Sequence, residues 1–165
     1  MRHSHPFNPV ADDRSRVLIL GSFPSLKSIE EHFYYAHPRN QFWPIMEKLF
    51  GSALPDRESR RRFALQKGIA LWDTYGSLVR SENNSSDANL KSLEPNDIDA
   101  FLAAHPSVLH VFCTGKKAYE GCRKHFPDLP VPCTLLPSTS PAYASMSFDD
   151  KLAAYRQIKA VLDAI

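Results

Sequence analysis

Two loop segments concentrate the side chains able to hold or transform a substrate. The first is Tyr34-Tyr-Ala-His-Pro-Arg-Asn-Gln-Phe-Trp43, where aromatic rings flank a His-Pro-Arg-Asn cluster. Rings beside hydrogen-bonding groups are a means of stacking on a flipped or single-stranded base. Phe42 fits the apolar face of the helix that follows, and Trp43 has the same explanation open to it. Tyr35 lies before that helix and is the better stacking residue. Asn40 immediately precedes the helix, so it reads either as a preferred N-cap or as a functional amide. His37, beside Pro38, is a turn residue or a proton carrier near neutral pH, and nothing local identifies a partner for it. The second segment is Pro137-Ser-Thr-Ser-Pro141, followed by Ala142 and Tyr143. Its prolines stiffen the loop, and its hydroxyls and N–H groups suit a phosphate or a base. The same residues also populate ordinary surface turns.

Three weaker features accompany them. Gly115-Lys116-Lys117 follows an apolar run and opens a helix, an arrangement that suits a phosphate. It is not a P-loop, because His110 stands where the first glycine would and no Ser or Thr follows the lysine. Taken alone it is a tight strand–helix turn with two solvated lysines. Asp73 ends another apolar run, either as a catalytic carboxylate or as a strand terminator. Cys113, Cys122 and Cys133 are odd in number and include no Cys-x-x-Cys pair. That pattern argues against a disulfide framework, a zinc ribbon or a four-cysteine iron–sulfur site, and the three read as core thiols. No nucleophile elbow and no Gly-x-Gly-x-x-Gly occurs.

The elements that position these loops follow from the apolar pattern. Val17–Leu20, Ile69–Trp72, Val108–Cys113 and Cys133–Leu136 are short, nearly continuous apolar runs bounded by Gly, Pro or Asp. Such runs are expected of strands buried on both faces of a parallel sheet. Helical periodicity lies between them. Phe42, Ile45, Met46, Leu49 and Phe50 share one face, ended by Gly51. Further helices are expected over Arg57–Gln66, after Pro95, after Gly115, and from Ser147 to Ile165, the last opened by Ser147 and Asp150 in the manner of a capping box. Alternation of this kind predicts a three-layer α/β/α sandwich. Ligands of such sheets sit beyond the carboxyl ends of the strands. Gly21–Asn40, Asp73–Asn89, Gly115–Lys117 and Pro137–Tyr143 should therefore converge, with the polar stretch Ser81–Ala88 a loop.

A chain of 165 residues with 43% apolar and 23% charged residues is one domain able to bury a core. No run is long enough to span a bilayer, and the N-terminus lacks a secretion pattern, so a cytoplasmic location is expected. With a net charge of only +2, any nucleic-acid binding must rest on local patches.

Considered together, Leu20-Gly-Ser-Phe-Pro-Ser25, Tyr35-Ala-His-Pro-Arg-Asn-Gln-Phe-Trp43, Thr114-Gly-Lys-Lys-Ala-Tyr119 and Leu136-Pro-Ser-Thr-Ser-Pro-Ala142 resemble the uracil-DNA glycosylase superfamily. The resemblance is closest to its hypoxanthine-DNA glycosylase branch. It implies a central four-stranded parallel sheet in a single domain over 1–165, with residues 1–14 a loosely ordered N-terminal segment. It also implies base flipping and metal-free, cofactor-free hydrolysis of the N-glycosidic bond of a deaminated base in DNA by a monomeric, monofunctional enzyme. By the same resemblance, the base pocket comprises Gly21, Ser22, Phe23, Tyr35 and Ser138. DNA contacts fall to Ser25, His37, Lys116, Lys117, Thr139, Ser140, Pro141, Ala142 and Tyr143.

Two departures bear on specificity. Phe23 stands where mismatch-specific relatives have Asn and uracil enzymes Asp, and the catalytic Asn of the hypoxanthine branch matches Asn40. Ser138 replaces a His or Asn common among relatives, which counts against uracil. An amide has no useful basic pKa, so Asn40 is expected to hold and polarise a water while the bond breaks dissociatively. A uracil or mismatch specificity, and a non-catalytic damage-binding module on the same scaffold, remain as alternatives.

Overall fold

The computed structural model describes residues 2–4, 8–80 and 90–165. The expected Ser81–Ala88 loop lies outside the described residues. Thirteen elements follow in chain order: β1 (Arg2–Ser4), β2 (Val17–Gly21), α1 (Leu26–Glu31), α2 (Phe42–Phe50), α3 (Arg57–Lys67), β3 (Ile69–Asp73), β4 (Tyr75–Arg80), β5 (Leu90–Pro95), α4 (Ile98–Ala104), β6 (His110–Thr114), α5 (Lys116–His125), β7 (Cys133–Leu136) and α6 (Phe148–Asp163). The central sheet has the order β3-β2-β6-β7, and every pairing in it is parallel.

The apolar run of β2 explains its central place. All five of its residues are buried, because each face of the strand meets a helical layer. Val17 and Ile19 point into a core shared with Phe42, Ile45, Met46, Phe63, Tyr155 and Ile158 of α2, α3 and α6. Leu18 and Leu20 point the other way, against Ile98, Phe101, Leu102, Ala118 and Cys122 of α4 and α5. This is the two-residue period of a strand serving two cores at once. The three-layer sandwich expected from the sequence is the observed architecture.

Helix ends follow local chemistry. Ser147 Oγ accepts the Asp150 N–H at the start of α6. Asp56 and Ser59 form a reciprocal capping box on α3. Trp43 is core: it is 2% exposed, stacks on Phe33, and donates from Nε1 to the Tyr34 carbonyl at 3.0 Å.

Several elements depart from the sequence expectation. The sequence reading assigned no strand after Asp73, yet Tyr75–Arg80 forms β4 in a second, antiparallel sheet of order β1-β4-β5. Gly76 and Ser77 interrupt its apolar run, which removes the periodic signal. A short helix, α1, lies within the expected Gly21–Asn40 loop. It is capped by Ser25 Oγ, which accepts the Ser28 N–H, and closes at His32 in the left-handed conformation. β7 is a sheet edge rather than a doubly buried strand, and Leu135 is 39% exposed there. At the opposite edge Val10, 1% exposed, exchanges both backbone hydrogen bonds with Leu71 of β3.

Candidate active site

A cavity of about 970 Å³ opens at the carboxyl ends of β2, β3 and β6. One wall is the turn after β2, from Gly21 through α1. The opposite wall is the loop 138–143, and Tyr35, Asp73 and Thr114 lie between them. The strand ends set this geometry. Gly21 of β2 sits opposite Asp73 of β3, and a side chain at Gly21 would run into the Asp73 carboxylate and crowd the Tyr35 hydroxyl. Only a glycine admits both groups.

Tyr35 is held on three sides. Its ring stacks on Phe42 with centroids 4.1 Å apart and planes 14° apart, and its hydroxyl meets Thr114 Oγ1 at 3.1 Å. Thr114 Oγ1 in turn donates to the Leu20 carbonyl at 3.3 Å. Tyr35 also adopts φ 55°, a left-handed conformation that is costly for an aromatic residue and concentrates at functional sites. Burial, reinforced by the Asp73 charge, pushes its hydroxyl pKa well above the usual tyrosine range. The hydroxyl is therefore a neutral hydrogen-bonding group.

Contrary to the expected role, Asn40 is not the N-cap of α2, a place held by Gln41, but its side chain reaches both the helix start and the cavity. The helix begins at Phe42, and Asn40 Oδ1, one residue outside the N-cap, accepts the Phe42 N–H at 2.9 Å in an Asx-type turn. The same side chain lines the cavity. The Asn40 N–H donates to the His37 carbonyl at 2.9 Å, closing a turn through Pro38 and Arg39. His37 Nδ1 accepts the Arg39 N–H at 3.1 Å, which assigns the ring proton of the neutral imidazole to Nε2.

The opposite loop is built from its own hydroxyls. Ser138 Oγ accepts the Ser140 N–H and Ser140 Oγ accepts the Ala142 N–H, which leaves both hydroxyl protons as donors. Pro141, Ala142 and Tyr143 form the exposed tip. Gly115, at φ 106°, lets the end of β6 approach this loop; a Cβ there would lie 3.3 Å from Ser138 Cβ.

Lys151 of α6 ties the start of α2 to the 138–143 wall and was missed at the sequence level. It is 2% exposed, and its Nζ donates to Gln41 Oε1 at 2.8 Å and to the Tyr143 carbonyl at 2.7 Å. The Gln41 N–H donates to the Thr139 carbonyl at 3.0 Å. The ammonium also sits over the Tyr143 ring, 5.2 Å from its centroid. Its position on the same stripe as Tyr155 and Ile158 is the signal that sequence reasoning could have used.

The cavity gathers Gly21, Ser22, Phe23, Ser25, Tyr35, His37, Asn40 and every residue from Ser138 to Tyr143. Phe23 is buried and packs with Tyr75 and Ile29, so an apolar ring occupies that part of the wall. Lys116 and Lys117 do not line the cavity. They occupy the first turn of α5, with Lys116 exposed. Asp73 is the further member, 3% exposed.

Comparison with known proteins decides what this arrangement belongs to. The family model of the uracil DNA glycosylase superfamily matches residues 8–162. The chain belongs to that superfamily. It is similar to a hypoxanthine DNA glycosylase of Methanosarcina barkeri (strain Fusaro), with 35% identity over 116 residues, covering 69% of this chain and 72% of the relative. A hypoxanthine DNA glycosylase of Methanosarcina acetivorans is 32% identical over the same coverage. Among solved structures, the solution NMR structure of a candidate uracil DNA glycosylase from Methanosarcina acetivorans superposes with a TM-score of 0.79 at 28% identity, covering 96% of this chain and 99% of that one. The superfamily fold and the cavity at its strand ends are thus common ground between the sequence and the structure.

Proposed function

We propose that this superfamily member is a monofunctional DNA glycosylase that removes hypoxanthine, the deamination product of adenine. It acts as a cytoplasmic monomer on DNA, and no helix among the described residues is long and apolar enough to cross a membrane. The observation that carries the reading is Asn40, whose amide is fixed by the Phe42 N–H at 2.9 Å while lining the same cavity as Tyr35 and Asp73.

The chemistry follows from these groups. A flipped base entering the cavity stacks on the free face of Tyr35, whose other face is backed by Phe42. Deamination converts N1 of adenine from an acceptor into an N–H donor. A carboxylate has about four lone-pair directions, so Asp73 accepts that N–H and meets adenine with lone pair against lone pair. Asn40 cannot serve as a general base. One lone pair of its Oδ1 is committed to Phe42, the other accepts from a water beside the sugar, and its NH₂ remains a donor toward the departing base. Fixed dipoles of this kind stabilise charge as it develops without reorganising, and removal of one such group costs ~10²–10³ in rate. The tip Pro141–Tyr143 fills the space left by the flipped nucleotide.

The test is single-turnover base release from duplexes containing inosine, uracil or xanthine, with the wild type and Asn40→Ala. Inosine is expected to be the preferred substrate, with release slowed at least ~10²-fold in the variant. Undiminished release by Asn40→Ala overturns the mechanism, and tight binding without release overturns the catalytic reading.

A further inference from the structure

The three cysteines lie on three consecutive elements and converge. Cys113 is the penultimate residue of β6, Cys122 lies within α5, and Cys133 opens β7. Their sulfurs all lie within 4.8 Å of one another, and those of Cys113 and Cys133 are 3.7 Å apart. None of this is used by the chemistry proposed for the cavity. Isolated core thiols need no mutual approach. We propose that Cys113, Cys122 and Cys133 form a three-sulfur site for a thiophilic d¹⁰ cation, with cuprous copper the best match.

The geometry sets the class of ion. A metal–sulfur bond of about 2.3 Å in a trigonal arrangement places the sulfurs about 4 Å apart. The observed spacing reaches that with movements of less than about 1 Å. Soft thiolate donors select copper(I), zinc or iron–sulfur clusters over hard cations. Zinc takes a fourth ligand, and among the described residues no further His, Cys, Asp or Glu joins the three sulfurs. Leu18, Leu20, Val111, Ala118 and Phe126 enclose the sulfurs on this face of the sheet. Two imidazoles lie three residues from a cysteine, and both are engaged elsewhere: His110 stacks on Phe112 at 4.2 Å and bonds Thr134 Oγ1 at 2.7 Å, and His125 packs edge-on against Tyr75 at 6.1 Å. Among the described residues the donor set is three sulfurs alone, which suits a three-coordinate monovalent ion. Cys133 is half-buried and supplies the way in, whereas Cys113 and Cys122 are closed to solvent. Each thiol that ligates releases its proton to solvent, and no electron is transferred.

The experiment uses the full reduced chain under anaerobic conditions, with copper(I) supplied as the complex of a colorimetric chelator. The expected result is withdrawal of one copper per chain and X-ray absorption showing three sulfur neighbours without nitrogen or oxygen. In Cys133→Ser, retention should fall at least tenfold. If that variant melts earlier than the wild type, Cys133→Ala serves in its place. Failure to withdraw copper, equal retention by the folded variant, or displacement of copper(I) by equimolar zinc would each overturn the proposal. Base release is not the readout, so the proposal stands or falls separately from the assigned function.

Discussion

Lys151→Met should separate the positioning of the active site from its stability. The wild-type ammonium is buried and makes hydrogen bonds of 2.8 Å and 2.7 Å to Gln41 and to the Tyr143 carbonyl. Bonds to charged groups contribute roughly 1.5–3 kcal/mol each, so the gross loss is about 3–6 kcal/mol by the same measure. Against this, the variant no longer has to bury a charge, which recovers several kcal/mol. The net change in stability should therefore be about 2 kcal/mol or less, since methionine fills a similar space. Activity is not offset in this way. Gln41 adjoins Asn40 and Tyr143 ends the 138–143 wall, so loss of their shared anchor lets the start of α2 and that loop drift apart. A displacement near 1 Å at reacting groups costs ~10²-fold. Single-turnover inosine release at saturating enzyme should fall by about that factor, and DNA affinity should weaken as well, because Tyr143 belongs to the 138–143 tip. The matched measurements are release rate, affinity and thermal midpoint. A folded Lys151→Met variant that releases base within threefold of wild type refutes the reasoning.

The remaining predictions concern charge, fit and recognition. Burial lowers the Lys151 pKa below the ordinary lysine value, so in the window between the folded value and 10.5 the unfolded chain binds more protons than the folded one. Stability attributable to this residue should rise with pH across that alkaline window, a slope that thermal melts of Lys151→Met should lack. Gly21→Ala places a methyl against the Asp73 carboxylate; overpacking of this kind costs ~1–3 kcal/mol, and inosine release should be lost while the chain still folds. Asp73→Asn should slow inosine release ~10–100-fold, in proportion to ~1–3 kcal/mol for a mispaired buried polar group, and narrow the preference for inosine over adenine. Lys116→Ala and Lys117→Ala should each weaken DNA binding on any sequence and lower the salt slope by about one, with release unchanged at saturating enzyme.

How much of this was legible in the sequence depends on the range of the physics involved. The central sheet was readable because its strands, apart from the edge, are buried on both faces. Burial on both faces writes itself as a continuous apolar run, and the helices between wrote their own period. β4 was not readable, since Tyr75-Gly-Ser-Leu has neither signature and its pairing with β1 and β5 is set by tertiary contact. Cavity residues were readable where loops after strands carried unusual chemistry, as at Tyr35, Asn40 and Ser138. Lys151 was not, although it occupies the stripe of Tyr155 and Ile158, because solvation is the usual fate of a lysine and its partners lie 110 and 8 residues away. The cysteines are core thiols as read, with Cys113 and Cys122 buried and Cys133 half-buried; their mutual approach was not legible, because spacing tests detect neighbours on one turn whereas these converge through a β-α-β unit.

Asn40 shows why a structural and a functional part for a single residue need not compete. The bond from the Phe42 N–H fixes the Asn40 amide through one oxygen lone pair and restricts its rotation. That restriction is what catalysis requires of a dipole, because a group already held in place pays no reorganisation as charge develops. The same bond to Phe42 also couples Asn40 to the ring on which Tyr35 stacks. The proposed base platform and the proposed catalytic amide are thus both tied to Phe42 at one helix start. Substitutions that unsettle the first turn of α2 should degrade base stacking and bond cleavage together, whereas changes at the 138–143 tip should act on DNA engagement first.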